Sequence, residues 1–182
     1  PGMTVINPCD FNQTKAATKA ISKINGPVYL RFGRPKVPNF TSDSIDFQIG
    51  KGIKFVEGND VTIIATGHLV WEALEAEKEL SKLGISAEVI NIHTIKPLDE
   101  DIILKSANKT KCVVSCEEHN IIGGLGESIS RVLVNSFLCP MEFVGVNDKF
   151  GESGTPIELM EKYGLNSKSI IEKCKKAISR KS

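Results

Sequence analysis

The chain has 182 residues, 41% of them hydrophobic and 25% charged, which is the balance of a soluble globular protein with room for one sizeable core. With 23 basic side chains against 22 acidic ones the formal net charge is +1, so neither nucleic acid nor an anionic membrane is expected as a partner. The longest apolar runs, Val61–Thr66 and Cys112–Cys116, are far too short to span a bilayer, and Pro1 opens the chain without the charged and then apolar stretch of a secretory leader.

Thr4–Cys9 is short and β-branched and reads as a strand. Asp10 then offers an N-cap for a helix over residues 12–24, closed by Asn25-Gly26. Pro27–Phe32 reads as a second strand. From Gly33 to Ile49 the pattern breaks into Pro, Asn, Ser and Asp, which is how a linker crossing a surface reads. A domain boundary is therefore expected there, dividing the chain into residues 1–45 and 46–182.

Beyond it the pattern becomes regular. Ile53–Val56 and Val61–Thr66 flank Glu57-Gly58-Asn59-Asp60, a hairpin signal. A helix is expected over 69–83, ended by Gly84, then a strand at Ala87–Ile92 and a helix opened by Pro97-Leu98-Asp99. The strand Cys112–Cys116 leads through a Gly-rich turn into a helix near 125–136. A strand at Glu142–Val146 and helices near 156–163 and 167–179 complete the chain. Apolar strands alternating with helices imply βαβ units, hence a mostly parallel sheet covered on both faces, with one antiparallel edge strand from the hairpin. The fold class is α/β, a three-layer sandwich preceded by a fragment of a second α/β domain. The five cysteines show no CxxC spacing, and Cys112 and Cys116 share one face of a strand. Buried free thiols in a reducing, cytoplasmic compartment are expected, and a zinc site is not.

Ligands of open parallel sheets sit beyond the carboxyl ends of the strands, where His68, His93 and His119 all fall. They read either as a His-lined crevice for an anionic or polyol ligand or as ordinary loop and contact residues. Glu117-Glu118-His119 runs into Gly123-Gly124-Leu125-Gly126-Glu127, where glycines open a helix whose free amides could hold an anion. Two neighbouring carboxylates would oppose a phosphate there, so close packing of the turn against another subunit is the stronger reading. Glu117 and Glu118 point to opposite faces of a strand and cannot share one substrate as an acid–base pair. Arg31-Phe32-Gly33-Arg34-Pro35-Lys36 gathers three cations at a turn, either a fork-like grip on phosphate or a solvated basic loop. Neither a Walker loop nor an HExxH pattern is present, nor the Gly-Asp-Gly and metal-ligating Asn that would hold a diphosphate and its Mg²⁺.

Several strings in order resemble the transketolase family. They begin with Asn7-Pro8-Cys9-Asp10, where relatives often have Pro-Ala-Asp and Cys9 departs. Gly26-Pro27-Val28-Tyr29-Leu30-Arg31-Phe32-Gly33-Arg34 and Ile63-Ile64-Ala65-Thr66-Gly67 follow, then Thr94-Ile95-Lys96-Pro97-Leu98-Asp99. Glu117-Glu118-His119 with its glycine turn comes next, and the last string is Phe150-Gly151-Glu152-Ser153-Gly154 with Glu158-Leu159 and Tyr163-Gly164-Leu165. The resemblance implies that residues 1–45 are the end of a pyrimidine-binding domain and 46–182 a whole C-terminal domain.

It also implies a homodimeric parent that carries thiamine diphosphate and Mg²⁺ and moves a two-carbon ketol unit between sugar phosphates. The diphosphate- and pyrimidine-binding groups would lie upstream or on a companion subunit. No cofactor is then expected on this piece alone, which should be inactive and serve assembly. By position Arg34 matches the substrate-phosphate arginine, with Arg31 and His119 as secondary contacts. 1-Deoxy-D-xylulose-5-phosphate synthase and the β subunit of 2-oxoacid dehydrogenases are the competing relatives, and a purely structural dimerisation module is the other class.

Overall fold

The computed structural model describes residues 1–33 and 36–181. Its strands and helices follow from local chemistry. The strand β1 (Thr4–Ile6) leads to α1 (Phe11–Ile21), whose first turn is closed by the Asp10 carboxylate accepting from Gln13 N. That helix stops short of the expected residue 24, because the bonds that follow are the tighter Lys23 N to Ala20 O and Ile24 N to Ile21 O. β2 (Val28–Leu30) lies parallel to β1.

After the linker come β3 (Ile53–Val56), β4 (Val61–Ala65) and α2 (Leu69–Lys82). Gly84, at φ +76°, takes up the left-handed conformation beyond the end of α2. β5 (Ala87–Asn91), β6 (Thr94–Lys96) and α3 (Glu100–Thr110) follow, with Asp99 capping α3. Then come β7 (Val113–Asn120), α4 (Leu125–Val134), β8 (Met141–Val146), α5 (Pro156–Lys162) and α6 (Ser167–Ser179).

The main sheet runs β3-β5-β4-β7-β8, with β3 antiparallel at one edge and the other strands mutually parallel. It is the expected three-layer α/β arrangement. Alternation along the strands splits the core in two. Val61, Ile63, Ala65, Cys112, Val114 and Cys116 face α2 and α6, whereas Ile64, Ile90 and Val113 face α3 and α4. Cys112 and Cys116 do share a face, and their burial pushes both thiols above their ordinary range, Cys112 to about 11. All five cysteines are free thiols.

One expectation fails. β3 and β4 do not form a hairpin; β5 lies between them, pairing antiparallel with β3 and parallel with β4. Gly58 shows why the connection is tight, since a Cβ there would overlap the Ala87–Glu88 backbone. The Glu57–Asp60 turn thus crosses the start of β5 instead of joining two neighbours.

A second sheet has the order β2-β1-β6, β6 pairing antiparallel with β1. The first thirty residues are therefore tied by backbone hydrogen bonds to a strand that lies beyond the linker. Further hydrogen bonds reinforce the tie: the Asn7 backbone N donates to His93 O (2.8 Å), and the Thr66 side-chain Oγ1 donates to Asn7 O (3.3 Å). The linker itself is pinned by Asp10, whose carboxylate accepts from Phe40 N, Thr41 N and Thr41 Oγ1 as well as from Gln13 N.

Candidate functional site

A cavity of about 840 Å³ opens at the carboxyl ends of β4, β7 and β8, between residues 36–38 of the linker and the α5–α6 region. Its walls are mostly apolar, with Val37, Trp71, Met160 and Tyr163 among them, and His68 and Glu118 stand at its polar side. The geometry beside these two residues is specific.

Gly67 turns the chain out of β4 at φ +56°, with the Asn7 side chain packed where a Cβ would stand. That turn places His68 at the start of α2, where its side chain makes no capping hydrogen bond. His68 Nδ1 instead meets Glu118 Oε2 at 2.9 Å. Burial pushes the Glu118 carboxyl up, but the His68 hydrogen bond and the charges of His68 and Arg31 outweigh it and hold the group below the usual carboxylate range. Arg31 Nη2 donates to the Glu118 carbonyl at 2.8 Å.

Glu117 points the other way, as strand alternation requires, and does a different job. Its two carboxylate oxygens accept from Leu125 N (2.7 Å) and Gly126 N (2.9 Å), the first amides of α4. The helix N-terminus that could have held an external anion is thus already filled by a carboxylate of the same chain. Burial raises the Glu117 carboxyl above its ordinary range against the pull of those two amides.

The histidines do not line one crevice. His93 is fully buried, stacked on Phe47 with ring centroids 4.1 Å apart, and its Nδ1 lies 3.0 Å from Thr94 Oγ1. His119 is exposed, with Nδ1 3.0 Å from Asn120 O. Only His68 borders the cavity. Among the secondary contacts, Arg31 is held against Glu118 and His119 turns outward. Arg34, the expected phosphate contact, lies outside the described residues, as does Pro35. Sequence reading missed the His68–Glu118 pair, since nothing in two residues fifty positions apart signals their meeting.

Thiamine diphosphate and Mg²⁺, which the resemblance implies for the parent enzyme, would call for carboxylate or other oxygen ligands beside the diphosphate. Among the described residues no three His, Cys, Asp or Glu side chains come together as a metal site. The described residues thus offer no ready-made cluster for the metal, and an Mg²⁺ on a diphosphate draws most of its ligands from phosphate oxygens and water. Among the described residues no helix is long and apolar enough to cross a membrane.

A mostly parallel sheet with helices packed on both faces and a polar cluster at the strand carboxyl ends defines a doubly covered α/β protein. Residues 50–170 match the family model described as "Transketolase, C-terminal domain". The chain is 45% identical over 181 residues to the 6-deoxy-6-sulfo-D-fructose transketolase subunit SqwH of Clostridium sp. (strain MSTE9), covering 100% of this chain and 56% of the relative. It is 34% identical over 174 residues to 1-deoxy-D-xylulose-5-phosphate synthase of Caldanaerobacter subterraneus subsp. tengcongensis, covering 94% of this chain and 28% of that enzyme.

Among solved structures, a split-gene transketolase in an inactive beta4 tetramer superposes with a TM-score of 0.97 at 44% identity, covering 100% of this chain and 60% of that one. This chain belongs to the transketolase family, by its C-terminal domain. It spans just over half the length of the transketolase subunit it matches.

Proposed function

We propose that the chain is the C-terminal part of a thiamine-diphosphate-dependent transketolase that moves a two-carbon ketol unit between sugar phosphates in the cytoplasm. In this reading residues 1–45 are the end of the pyrimidine-binding domain, and 46–182 are the C-terminal domain. A companion polypeptide or preceding section supplies the groups for the diphosphate, the Mg²⁺ and the pyrimidine ring, and the assembly is built on a homodimer. The cofactor supplies the carbanion chemistry when bound. This chain supplies the phosphate contact through Arg34, a fork-shaped cation suited to a phosphate oxygen pair, and it supplies part of the subunit contact.

One observation supports the reading: the close match along the whole chain to a protein described as a split-gene transketolase, inactive beta4 tetramer. The chain alone, given thiamine diphosphate, Mg²⁺, xylulose 5-phosphate and ribose 5-phosphate, should show no turnover above background. Addition of the companion should restore it. Turnover by the pure chain would refute the division of labour. With pyruvate and glyceraldehyde 3-phosphate as substrates the restored assembly should be far less active; the reverse preference would favour the synthase reading.

In the active assembly, Arg34→Ala should raise KM for the phosphorylated donor about tenfold, equivalent to ~1.4 kcal/mol of lost binding, with kcat little changed. An unchanged KM would remove Arg34 from the site.

A further inference from the structure

We propose that the cavity at the carboxyl ends of β4, β7 and β8 is a binding site for an uncharged aromatic or alicyclic molecule with a hydroxyl group, which donates its proton to Nε2 of His68. The site does not depend on the ketol-transfer reading.

Topology makes the crevice. From β4 the chain leaves through α2 on one face of the main sheet, and from β7 it leaves through α4 on the other. β4 and β7 are neighbours, so their connections diverge and open a gap beyond their carboxyl ends. Ligands of open α/β sheets sit at such a reversal of direction. His68 follows β4 directly and Glu118 lies near the end of β7, so the two flank that gap. A volume of about 840 Å³ is that of a small-molecule pocket.

The lining selects the ligand's chemistry. Trp71, Val146, Met160 and Leu165 supply an apolar wall, and Phe40 braces Trp71 with ring centroids 5.6 Å apart. His68 supplies a polar end. Its Nδ1 meets Glu118 Oε2 at 2.9 Å, so Nδ1–H is the donor of the neutral ring and Nε2 is left as an acceptor. Among the described residues Nε2 has no hydrogen-bond partner. Glycine at position 33 keeps that edge of the ring open, since a Cβ there would overlap Cε1 and Nε2. Charge disfavours an anion. Glu72, Glu118 and Glu161 line the cavity against Lys36 and Lys168, and Lys168 is itself 3.8 Å from Glu161. A phosphate would meet more carboxylates than ammonium groups here, whereas a hydroxyl entering an apolar cavity needs only one acceptor.

Trp71 is the only tryptophan of the chain, so its fluorescence reports on this wall. 2-Naphthol, which absorbs where tryptophan emits, should quench it saturably. 2-Methoxynaphthalene keeps the rings but has no hydroxyl proton, and should bind about tenfold more weakly, the scale of one buried hydrogen bond. His68→Ala should weaken 2-naphthol about tenfold and leave the methyl ether near its parent affinity, which removes the preference. His68→Gln, which offers a carbonyl acceptor, should recover part of it. Met160→Arg puts a charge into the apolar wall and should abolish quenching by both probes. Its helix, α5, has no buried residue, so the fold should tolerate the change. Should His68→Ala fail to fold, the difference between naphthol and ether in the parent, together with Met160→Arg, decides.

An absence of saturable quenching would overturn the proposal, as would equal affinities of the parent for the two probes. Tighter binding of 2-naphthalenesulfonate than of 2-naphthol would overturn it too, by making the ligand an anion. Calorimetry with 2-naphthol on the assembly of this chain with its companion separates a ligand site from a subunit contact. Binding should persist there; its loss would mean that the companion covers the cavity and that no ligand site exists.

Discussion

Replacing Glu117 by alanine should lower the free energy of unfolding by about 3 kcal/mol, a loss read from chemical denaturation as a shifted midpoint at constant slope. Two buried amides, those of Leu125 and Gly126, depend on its carboxylate, at 2.7 and 2.9 Å. Alanine leaves both without an acceptor in a place where the N-cap residue, Gly124, has no side chain to offer. Water cannot easily replace it, because Glu117 is 3% exposed and Leu125 is 1% exposed.

Glu117→Gln should lose less, since one carbonyl oxygen remains to accept while the new amide group faces a donor. The predicted order of stability is Glu, then Gln, then Ala. Gly124→Ala should also destabilise, because its Cβ would overlap the Glu117 carboxylate. An alanine variant as stable as the parent would show that α4 begins without this carboxylate. The same carboxylate explains why the glycine turn makes a poor phosphate cradle.

Much of this architecture is written in local patterns. The Asp10 and Asp99 caps and the helices between apolar strands follow from residue type and period, whereas the antiparallel edge strand is present but pairs with β5 and not through the expected hairpin. The opposite orientations of Glu117 and Glu118 follow from strand alternation alone. Sheet order does not. The Glu57–Asp60 turn is chemically a hairpin turn, yet β5 takes the place beside β4, since only long-range burial decides which strand neighbours which.

β6 escapes notice for a related reason: three residues carry no period, and their partner β1 lies some ninety residues earlier. The same holds at the site. Arg34 is legible only through resemblance, whereas the Arg31–Glu118–His68 contacts join three separate stretches of chain and leave no sequence pattern. His93 sits at a strand end like the other two histidines, but the stacking of Phe47 from the linker takes it out of solvent altogether.

That burial has a consequence in acid. Desolvation pushes the His93 imidazole down to about 4, against a weaker upward pull from the Asp99 charge. In the unfolded chain the same ring titrates near its ordinary value of 6.5. The folded state therefore binds the proton less well than the unfolded state. The resulting stabilisation is fully present above pH about 6.5 and is lost progressively as pH falls towards about 4, below which both states are protonated and nothing further is lost.

A gap of that size corresponds to about 3 kcal/mol. Nothing in the fold is prepared to receive the charge: Nε2 has no hydrogen-bond partner among the described residues, and Phe47 covers the ring face. His93→Gln keeps a polar atom near Thr94 and cannot titrate. Between pH 7 and pH 4 the parent should lose about 3 kcal/mol more unfolding free energy than this variant, since the carboxylates common to both cancel in the difference. The variant, weaker at neutral pH through its poorer stacking, should approach or overtake the parent in acid. Parallel pH dependences for the two proteins would mean that His93 gains its proton in the folded state as readily as in the unfolded one.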